Sequence, residues 1–299
     1  MPRHVYAVMT AQATPRLASL KDVPALKELW RLVFDDSAQD VEDFFKIFFS
    51  PDHTVVIDGG TGIVAASYLL PVGSLVLPDG QRFACAMIYA VATHPAQRGR
   101  GYGASVTTAA EKQALALGYD AVVLKPATDG LFDYYARKSD FVEFFGVYEE
   151  AFESAALTPP TPGVAAVPVS PLSYRQRRAA LLSGGVYIDM DTHALSYQEH
   201  LCRTAGGGLF EIRRNGTAVG CAICEREAGT LIIKELLLAD AALKKAAVAA
   251  LGEYFPAPVY RLRTTTGDAA NYRRFGMLRP LRGLEHCSDA VCWYGPAFD

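Results

Sequence analysis

The spacing of hydrophobic residues in the first half of the chain changes from helical to extended near residue 50. Apolar residues recur at helical spacing over 22–33, where Asp22 is a candidate N-cap, and the pattern predicts a second helix over 40–49. Alternating or continuous apolar runs then predict strands over 53–58, 63–70, 74–77 and 82–93. Two glycine-containing turns separate these strands, so we expect an antiparallel meander.

Helix and strand patterns alternate after the meander. A helix is predicted over 102–117, with Gly118 as its C-terminal stop, and another over 131–138. A short apolar strand over 121–124 separates them, and 141–152 supplies the last strands. This order is typical of a mixed α/β sheet of the α+β kind and not of a regular βαβ series.

The second half of the chain repeats this order of elements. A proline-rich stretch over 154–171 is predicted to be a linker. Two helical patterns then precede a hairpin with the turn Asn215-Gly216, and a strand, a helix and a strand follow over 230–263. The repeat predicts two copies of one fold, one in a domain over 14–153 and one in a domain over 172–299.

The composition narrows the class of protein. The chain has 299 residues, of which 51% are hydrophobic, and its formal net charge is −3. It is therefore predicted to be globular, and because it has no basic run we expect no nucleic-acid partner. No apolar stretch approaches the ~20 residues of a membrane span and no secretory signal is evident, so we expect a cytoplasmic protein without a membrane partner. The six cysteines lack the spacing and histidine partners of a zinc set, so no metal is expected.

The segment 98–104, Arg-Gly-Arg-Gly-Tyr-Gly-Ala, is the main candidate for chemistry because it joins a predicted strand to a predicted helix. Its three glycines leave backbone N–H groups open and permit backbone angles that side chains forbid. The helix that follows presents the positive end of its dipole at the same place. Together with Arg98 and Arg100, these features predict a binding site for a diphosphate.

Two familiar phosphate motifs fit this segment poorly. The Walker string G-x-x-x-x-G-K-[ST] does not occur in the chain. The dinucleotide string G-x-G-x-x-A is matched by Gly99, Gly101 and Ala104, but that turn should follow its strand directly inside a βαβ unit. Here 94–98 intervene, and Lys125 stands where an acidic residue should end the next strand.

A third pattern, [Q/R]-x-x-G-x-[G/A], is matched by Arg98, Gly101 and Gly103. It follows a long strand and opens a helix, and the later segment 131–141, Leu-Phe-Asp-Tyr-Tyr-Ala-Arg-Lys-Ser-Asp-Phe, is similar to F-Y-x-x-x-G-F with one extra residue. In this combination the chain resembles the GNAT superfamily of N-acetyltransferases over about 14–153. The resemblance implies a loop that binds the pyrophosphate of acetyl-CoA.

The second half carries a fainter resemblance to the same superfamily. The segment 271–277, Asn-Tyr-Arg-Arg-Phe-Gly-Met, is similar to the tyrosine-helix motif, but 236–240 lead from strand to helix without a glycine loop. The resemblance therefore implies two GNAT-like mixed-sheet domains in tandem, of which the second is degenerate and only the first keeps the cofactor site.

The resemblance also implies roles for individual residues. The amine attacks the thioester directly, and Tyr135, with Tyr134 as the alternative, gives a proton to the leaving thiolate of CoA. The backbone of the fourth strand binds the pantetheine arm. The implied cofactor-binding residues are Ala90, Val91, Ala92, Thr93, Arg98, Gly99, Arg100, Gly101, Tyr102, Gly103 and Ala104.

Several questions stay open at the level of sequence. The fourth strand has no glutamate to act as the base, and His94 is expected to be a loop or capping residue. An acidic run at 35–43 is expected to be a solvated helix start, although it could attract a cationic amine. The acceptor is an unidentified amine on a small molecule or peptide, and the second domain is expected to shape the acceptor cleft or to form a homodimer. The alternative function is a non-catalytic sensor of acyl-CoA or a partner-docking protein.

Overall fold

The computed structural model describes residues 13–60, 62–157, 160–284 and 292–298. The chain forms two compact units by its internal contacts. The first contains Met1–Leu70 and Ile88–Ala114, and the second contains Pro71–Met87 and Leu115–Asp299. The long strands of the meander run through both units, so these units differ from domains divided in chain order. The domain bounds drawn from the sequence stay a prediction.

The first unit contains the predicted helix pair and the meander. Its sheet has the order β1-β2-β3-β4. The bounds are β1 Arg16–Leu17, α1 Val23–Val33, α2 Ala38–Ile47, β2 Thr54–Asp58, β3 Ile63–Val76, β4 Arg82–Thr93 and α3 Tyr102–Ala116. The strands predicted over 63–70 and 74–77 are one continuous strand.

An aromatic cluster forms the core of the first unit. Trp30 of α1 is 4% exposed, and its ring centroid lies 4.5 Å from that of Phe44 and 5.3 Å from that of Tyr68. Tyr89 of β4 stacks on Phe44 at 5.7 Å. The apolar faces that the helical spacing predicted are therefore the faces that pack together, and Tyr89 is part of this packing.

The second unit is built on a larger sheet with the order β4-β5-β13-β6-β12-β11-β10-β9-β7, and β8 pairs with the end of β3. The bounds are β5 Ala121–Leu124, α4 Asp129–Ser139, β6 Val142–Glu153, β7 Val164–Pro168, α5 Pro171–Leu182, β8 Tyr187–Met190, α6 Thr192–Thr204, β9 Gly208–Arg214, β10 Thr217–Glu227, β11 Thr230–Leu238, α7 Lys244–Tyr254, β12 Val259–Thr264 and β13 Tyr272–Pro280. Strand β7 lies inside the segment that the sequence predicts to be a linker. No helix among the described residues is long and apolar enough to cross a membrane.

The two halves of the chain exchange strands inside this sheet. Strand β13, from the second half, lies between β5 and β6 and is antiparallel to both. Strand β6, from the first half, lies between β13 and β12. The resemblance of 271–277 to a tyrosine helix is therefore wrong as a structural prediction. The segment pairs with its neighbours as a strand, and the ring of Tyr272 lies against Gly146, where a Cβ atom would come within 2.3 Å of it.

A buried charge network fixes the C-terminal segment. Glu235 of β11 is 0% exposed and Arg178 of α5 is 1% exposed, with their Oε1 and Nε atoms 2.9 Å apart. The same carboxylate accepts hydrogen bonds from the Tyr174 hydroxyl at 2.6 Å and from the Trp293 indole. Arg178 also donates to the carbonyl oxygen of Tyr294 at 3.2 Å. A buried ion pair is tolerated only when its remaining donors and acceptors are satisfied, as they are here. The strand predicted over 290–294 lies in part outside the described residues.

Helix α4 ends at Ser139, and its C-cap residue Asp140 adopts the left-handed conformation with φ 48°. This is the position at which the F-Y-x-x-x-G-F motif has glycine, the residue that takes this conformation with least strain. The Asp140 side chain is 79% exposed, and its ion pair with Arg279, at 3.4 Å, should contribute little. The aspartate therefore replaces the usual glycine at some expense in stability.

We expect Asp140→Gly to raise the free energy of unfolding by about 0.5–1 kcal/mol, because it relieves the left-handed strain. Urea denaturation would measure the change. The matched control is Asp133→Gly at an exposed site inside the same helix, which should lower stability by a few tenths of a kcal/mol. A destabilised Asp140→Gly variant would show that the ion pair outweighs the backbone strain.

Candidate functional site

A short turn leads from β4 to the glycine-rich segment in the first unit. The backbone amide of His94 donates to the carbonyl oxygen of Val64 at 2.8 Å, which fixes the end of the strand. The Nδ1 atom of His94 accepts a hydrogen bond from the amide of Ala96 at 3.2 Å and caps the 3-10 turn Pro95–Gln97. His94 is thus a capping residue, as the sequence predicted.

The segment that follows is held open by two glycines in the left-handed region. Gly99 has φ 79° and Gly101 has φ 81°. A Cβ atom built on either residue would meet no other atom within 4 Å, so the space above the backbone is empty of protein. Gly99, Arg100 and Gly101 are exposed, whereas Gly103 and Ala104 lie half-buried in the first turn of α3. The backbone here forms an accessible surface.

The backbone amides of this surface are free to bind an anion. The first hydrogen bond of the helix is donated by the Ser105 amide to the carbonyl oxygen of Gly101 at 3.0 Å. Within the described residues, no protein acceptor is bonded to the amides of residues 99–104. The side chains of Arg98 and Arg100 are exposed and have no ion-pair partner in the described part of the chain. The amides, the helix dipole and two guanidinium groups can therefore act on one anion.

Strand β4 is distorted just before this turn. Ala90 has φ 45°, a strained value for a residue with a Cβ atom. The parallel pairing of β4 with β5 covers only Cys85–Met87, opposite Ala121–Val123. The residues predicted to bind the pantetheine arm, Ala90 to Thr93, lie beyond that pairing, and Ala92 alone among them is buried.

The two candidate catalytic tyrosines lie on α4 in the second unit. Tyr135 is 8% exposed, and its ring makes edge contacts with Tyr134 at 5.2 Å and Phe141 at 5.9 Å between centroids. Its hydroxyl has no hydrogen-bond partner among the residues that the structure describes. Burial raises the pKa of Tyr135 well above that of a free phenol, and Tyr134 adds to the shift. Tyr135 therefore keeps its proton at neutral pH, whereas Tyr134 is half-buried.

The second half of the chain differs at the corresponding strand-to-helix connection. Between β11 and α7, the carboxylate of Asp240 accepts a hydrogen bond from the amide of Ala242 at 2.9 Å. A negative side chain thus caps the short 3-10 turn Ala241–Leu243 at this connection. That only the first half keeps a cofactor loop stays a prediction.

The acidic residues of the first unit are engaged in local structure. Asp36 accepts a hydrogen bond from the Trp30 indole at 2.7 Å, and Asp40 forms a capping box with Ser37 at the start of α2. Glu42 pairs with Lys27. The run at 35–43 thus behaves largely as a solvated helix start, as expected from the sequence. No metal-binding cluster is found in the described ranges.

Sequence reasoning missed two features of these segments. The positive φ of Ala90 has no signal in the sequence, because nothing about an alanine in a strand indicates a left-handed bend. The capping role of Asp240 could have been found, because aspartate is a favoured residue at the start of a helix.

A known protein-family model matches the first part of the chain. Residues 14–141 match the model of the acetyltransferase (GNAT) domain. This first part of the chain therefore contains a GNAT-type acetyltransferase domain. No curated protein is significantly similar in sequence to this chain.

Solved GNAT structures share this fold at low sequence identity. A GCN5-related N-acetyltransferase from Anabaena variabilis is 18% identical, with a TM-score of 0.70 over 90% of this chain and 73% of that one. A second, from Kribbella flavida, is 16% identical, with a TM-score of 0.66 over 90% and 71%. A tandem GNAT protein from the clavulanic acid biosynthesis pathway is 14% identical, with a TM-score of 0.56 over 92% and 99%. The predicted fold class, a tandem of GNAT-like mixed sheets, is confirmed.

Family and fold support acyl-CoA-dependent acetyl transfer in general, since GNAT proteins generally use acetyl-CoA and act on amines. The open amides, the two glycines with positive φ and the exposed arginines fit a diphosphate group such as that of CoA. The individual site residues stay predictions.

We expect Gly101→Leu to weaken acetyl-CoA binding at least tenfold, because the new side chain would fill the space above the amides. The matched control is Gly80→Leu, since Gly80 has φ 86° and also meets nothing within 4 Å of a built Cβ atom. Both variants should lose about 1–2 kcal/mol of stability from left-handed strain. Titration calorimetry would measure the affinities. Equal affinity in Gly101→Leu and Gly80→Leu would contradict the assignment of the loop.

Proposed function

We propose that this protein is an acetyl-CoA-dependent N-acetyltransferase that transfers the acetyl group to an amine by direct attack on the thioester. The observation that carries the proposal is the row of backbone amides at 99–104, which has no protein acceptor among the described residues and lies at the start of a long helix. Such a row attracts a phosphate or diphosphate. In a GNAT domain, the natural occupant is the pyrophosphate of CoA.

The pyrophosphate loop would anchor the co-substrate. The amides of Gly99 to Ala104 would bind the phosphate oxygens, and Arg98 and Arg100 would neutralise their charge. Because two of the glycines already hold the backbone in the required conformation, little ordering is needed on binding.

The distorted end of β4 would bind and polarise the acyl arm. A strand residue with positive φ turns its peptide groups away from the regular ladder direction, which frees donors and acceptors for a ligand. The backbone of Ala90 to Thr93 would therefore bond the pantetheine amides, and one N–H there would stabilise the negative charge that develops on the thioester oxygen.

The proposed reaction needs an acid for the leaving thiolate and a base for the attacking ammonium. When the amine attacks, the C–S bond of the thioester breaks and the departing thiolate takes a proton. Tyr135 would supply it, because its buried phenol stays protonated, and Tyr134 is the alternative donor. Strand β4 carries no carboxylate, so the attacking ammonium would lose its proton to water or to a carboxylate elsewhere.

Incubation of the protein with acetyl-CoA and a broad panel of amines should release free CoA thiol with at least one amine. A thiol-reactive dye would follow the release, and mass spectrometry would detect the acetylated product. Boiled protein and reactions without amine are the controls. Tight acetyl-CoA binding with no acetylated product from any amine would favour the alternative, a non-catalytic acyl-CoA sensor.

With an accepted amine in hand, Tyr135→Phe should lower kcat about 100-fold or more, the lower end of the range for a general acid. The KM for acetyl-CoA should stay unchanged, because the hydroxyl lies on a different element from the pyrophosphate loop. Folding should also be preserved, since the hydroxyl has no hydrogen-bond partner in the described structure.

Tyr134→Phe serves as the matched control and should retain most of its activity. A larger loss of kcat in Tyr134→Phe than in Tyr135→Phe would reverse the assignment. Because the pKa of Tyr135 is raised, its loss of a proton should not limit kcat until strongly alkaline pH.

A further inference from the structure

A charged cavity lies at the end of a parallel strand pair in the second unit. Residues Thr230–Ile233 of β11 pair in parallel with Val259–Leu262 of β12, and the pairing stops after these residues. Lys234 and Arg263 are the next residues on the two strands. A cavity of about 180 Å³ opens at this point. This volume is below the roughly 300–1,000 Å³ of drug-sized ligand sites, so the cavity suits a smaller molecule.

The charged side chains of β11 and β12 line the cavity because side chains alternate between the two faces of the sheet. Leu231 and Ile233 of β11 and Tyr260 of β12 belong to the hydrophobic core that packs on α7. Successive side chains of a strand point to opposite faces. Lys234, Arg261 and Arg263 are therefore presented on the other face, where Glu225 of β10 and Glu149 of β6 join them in lining the cavity.

Two ion pairs form the walls of this cavity. Lys234, whose side chain is 4% exposed, lies 2.8 Å from the carboxylate of Glu225. Arg263, whose side chain is 16% exposed, lies 3.0 Å from the carboxylate of Glu149. Charges this poorly hydrated act more strongly on a third charge than charges in water do. The walls thus offer both signs of charge at short range.

The lining of the cavity carries more positive than negative side chains. Arg261 is exposed and has no ion-pair partner within the described residues, and Lys125 also lines the cavity. The lining then contains four cationic side chains and three carboxylates, the third being that of Glu227. A complementary ligand would carry a net negative charge together with a group that carboxylates can bind. The carboxylates and the small volume both disfavour a nucleotide.

We propose that this cavity binds a small acidic amino acid. Its carboxylates would bond to the cationic side chains, among them Arg261, and its ammonium group would donate to Glu149 and Glu225. The site is separate from the pyrophosphate loop and does not depend on the proposed acetyl transfer.

Titration calorimetry of the full chain with L-glutamate and L-aspartate tests the proposal. We expect saturable binding of at least one of them with one site per chain. Glutarate, which lacks the ammonium group, should bind at least tenfold more weakly than L-glutamate. An absence of saturable binding by both amino acids, or equal binding of glutarate, would overturn the proposal.

The decisive variant is Arg261→Ala, because Arg261 is exposed without an ion-pair partner in the described chain and its removal should not disturb folding. We expect at least a tenfold loss of affinity for the amino acid and unchanged affinity for acetyl-CoA. The control is Arg214→Ala, which removes an exposed arginine at the end of β9 and should change neither affinity. Amino-acid binding by Arg261→Ala equal to that of the unaltered protein would contradict the site. Acetyl-CoA binding measured in parallel reports on the loop alone, so the two proposals can fail separately.

Discussion

The first amides of a helix have no acceptor inside the helix and must find one elsewhere. At the start of α3 the sequence supplies glycines and no capping side chain, so these amides face outward beside Arg98 and Arg100. Before α7, Asp240 bonds the amide of Ala242 and caps the short 3-10 turn that leads into that helix. One physical requirement thus has two solutions in the two halves of the chain. The first leaves the amides without a protein acceptor in the described chain, and the second bonds one amide to a carboxylate.

The exchange of strands explains why the second half cannot be regarded as a detachable addition. Strand β13 pairs with both β5 and β6, and β6 in turn pairs with β12. Without β13, strand β5 would have an unpaired edge, which proteins generally protect. The second half therefore contributes a strand to the sheet of the first half.

Buried charges in the second unit follow two different arrangements. Around Glu235 every oxygen has donors from Tyr174, Arg178 or Trp293, and the network holds the C-terminal segment in place. Around Lys234 and Arg263 the ion pairs border a cavity. The first arrangement satisfies its groups internally and is structural. The second leaves room beside charged groups, which is the condition for binding a small polar molecule.

The positions of several helices and hairpins and of the glycine-rich segment follow from the residue pattern alone. Helical spacing located α1, glycine spacing located the segment 98–104, and Asn215-Gly216 correctly predicted a tight hairpin, with φ values of 50° and 82°. These features depend on residues close in the chain, so local pattern is sufficient to predict them.

Features that depend on residues far apart in the chain are visible only in the folded protein. Residues 272–280 form a strand because β5 and β6 lie on either side of them, and the bend at Ala90 leaves no trace in the residue type. The cavity beside Lys234 brings together side chains from β6, β10, β11 and β12 that are far apart in the chain. Sequence pattern describes which face a residue prefers, but which strands become neighbours is set by the packing of the whole sheet.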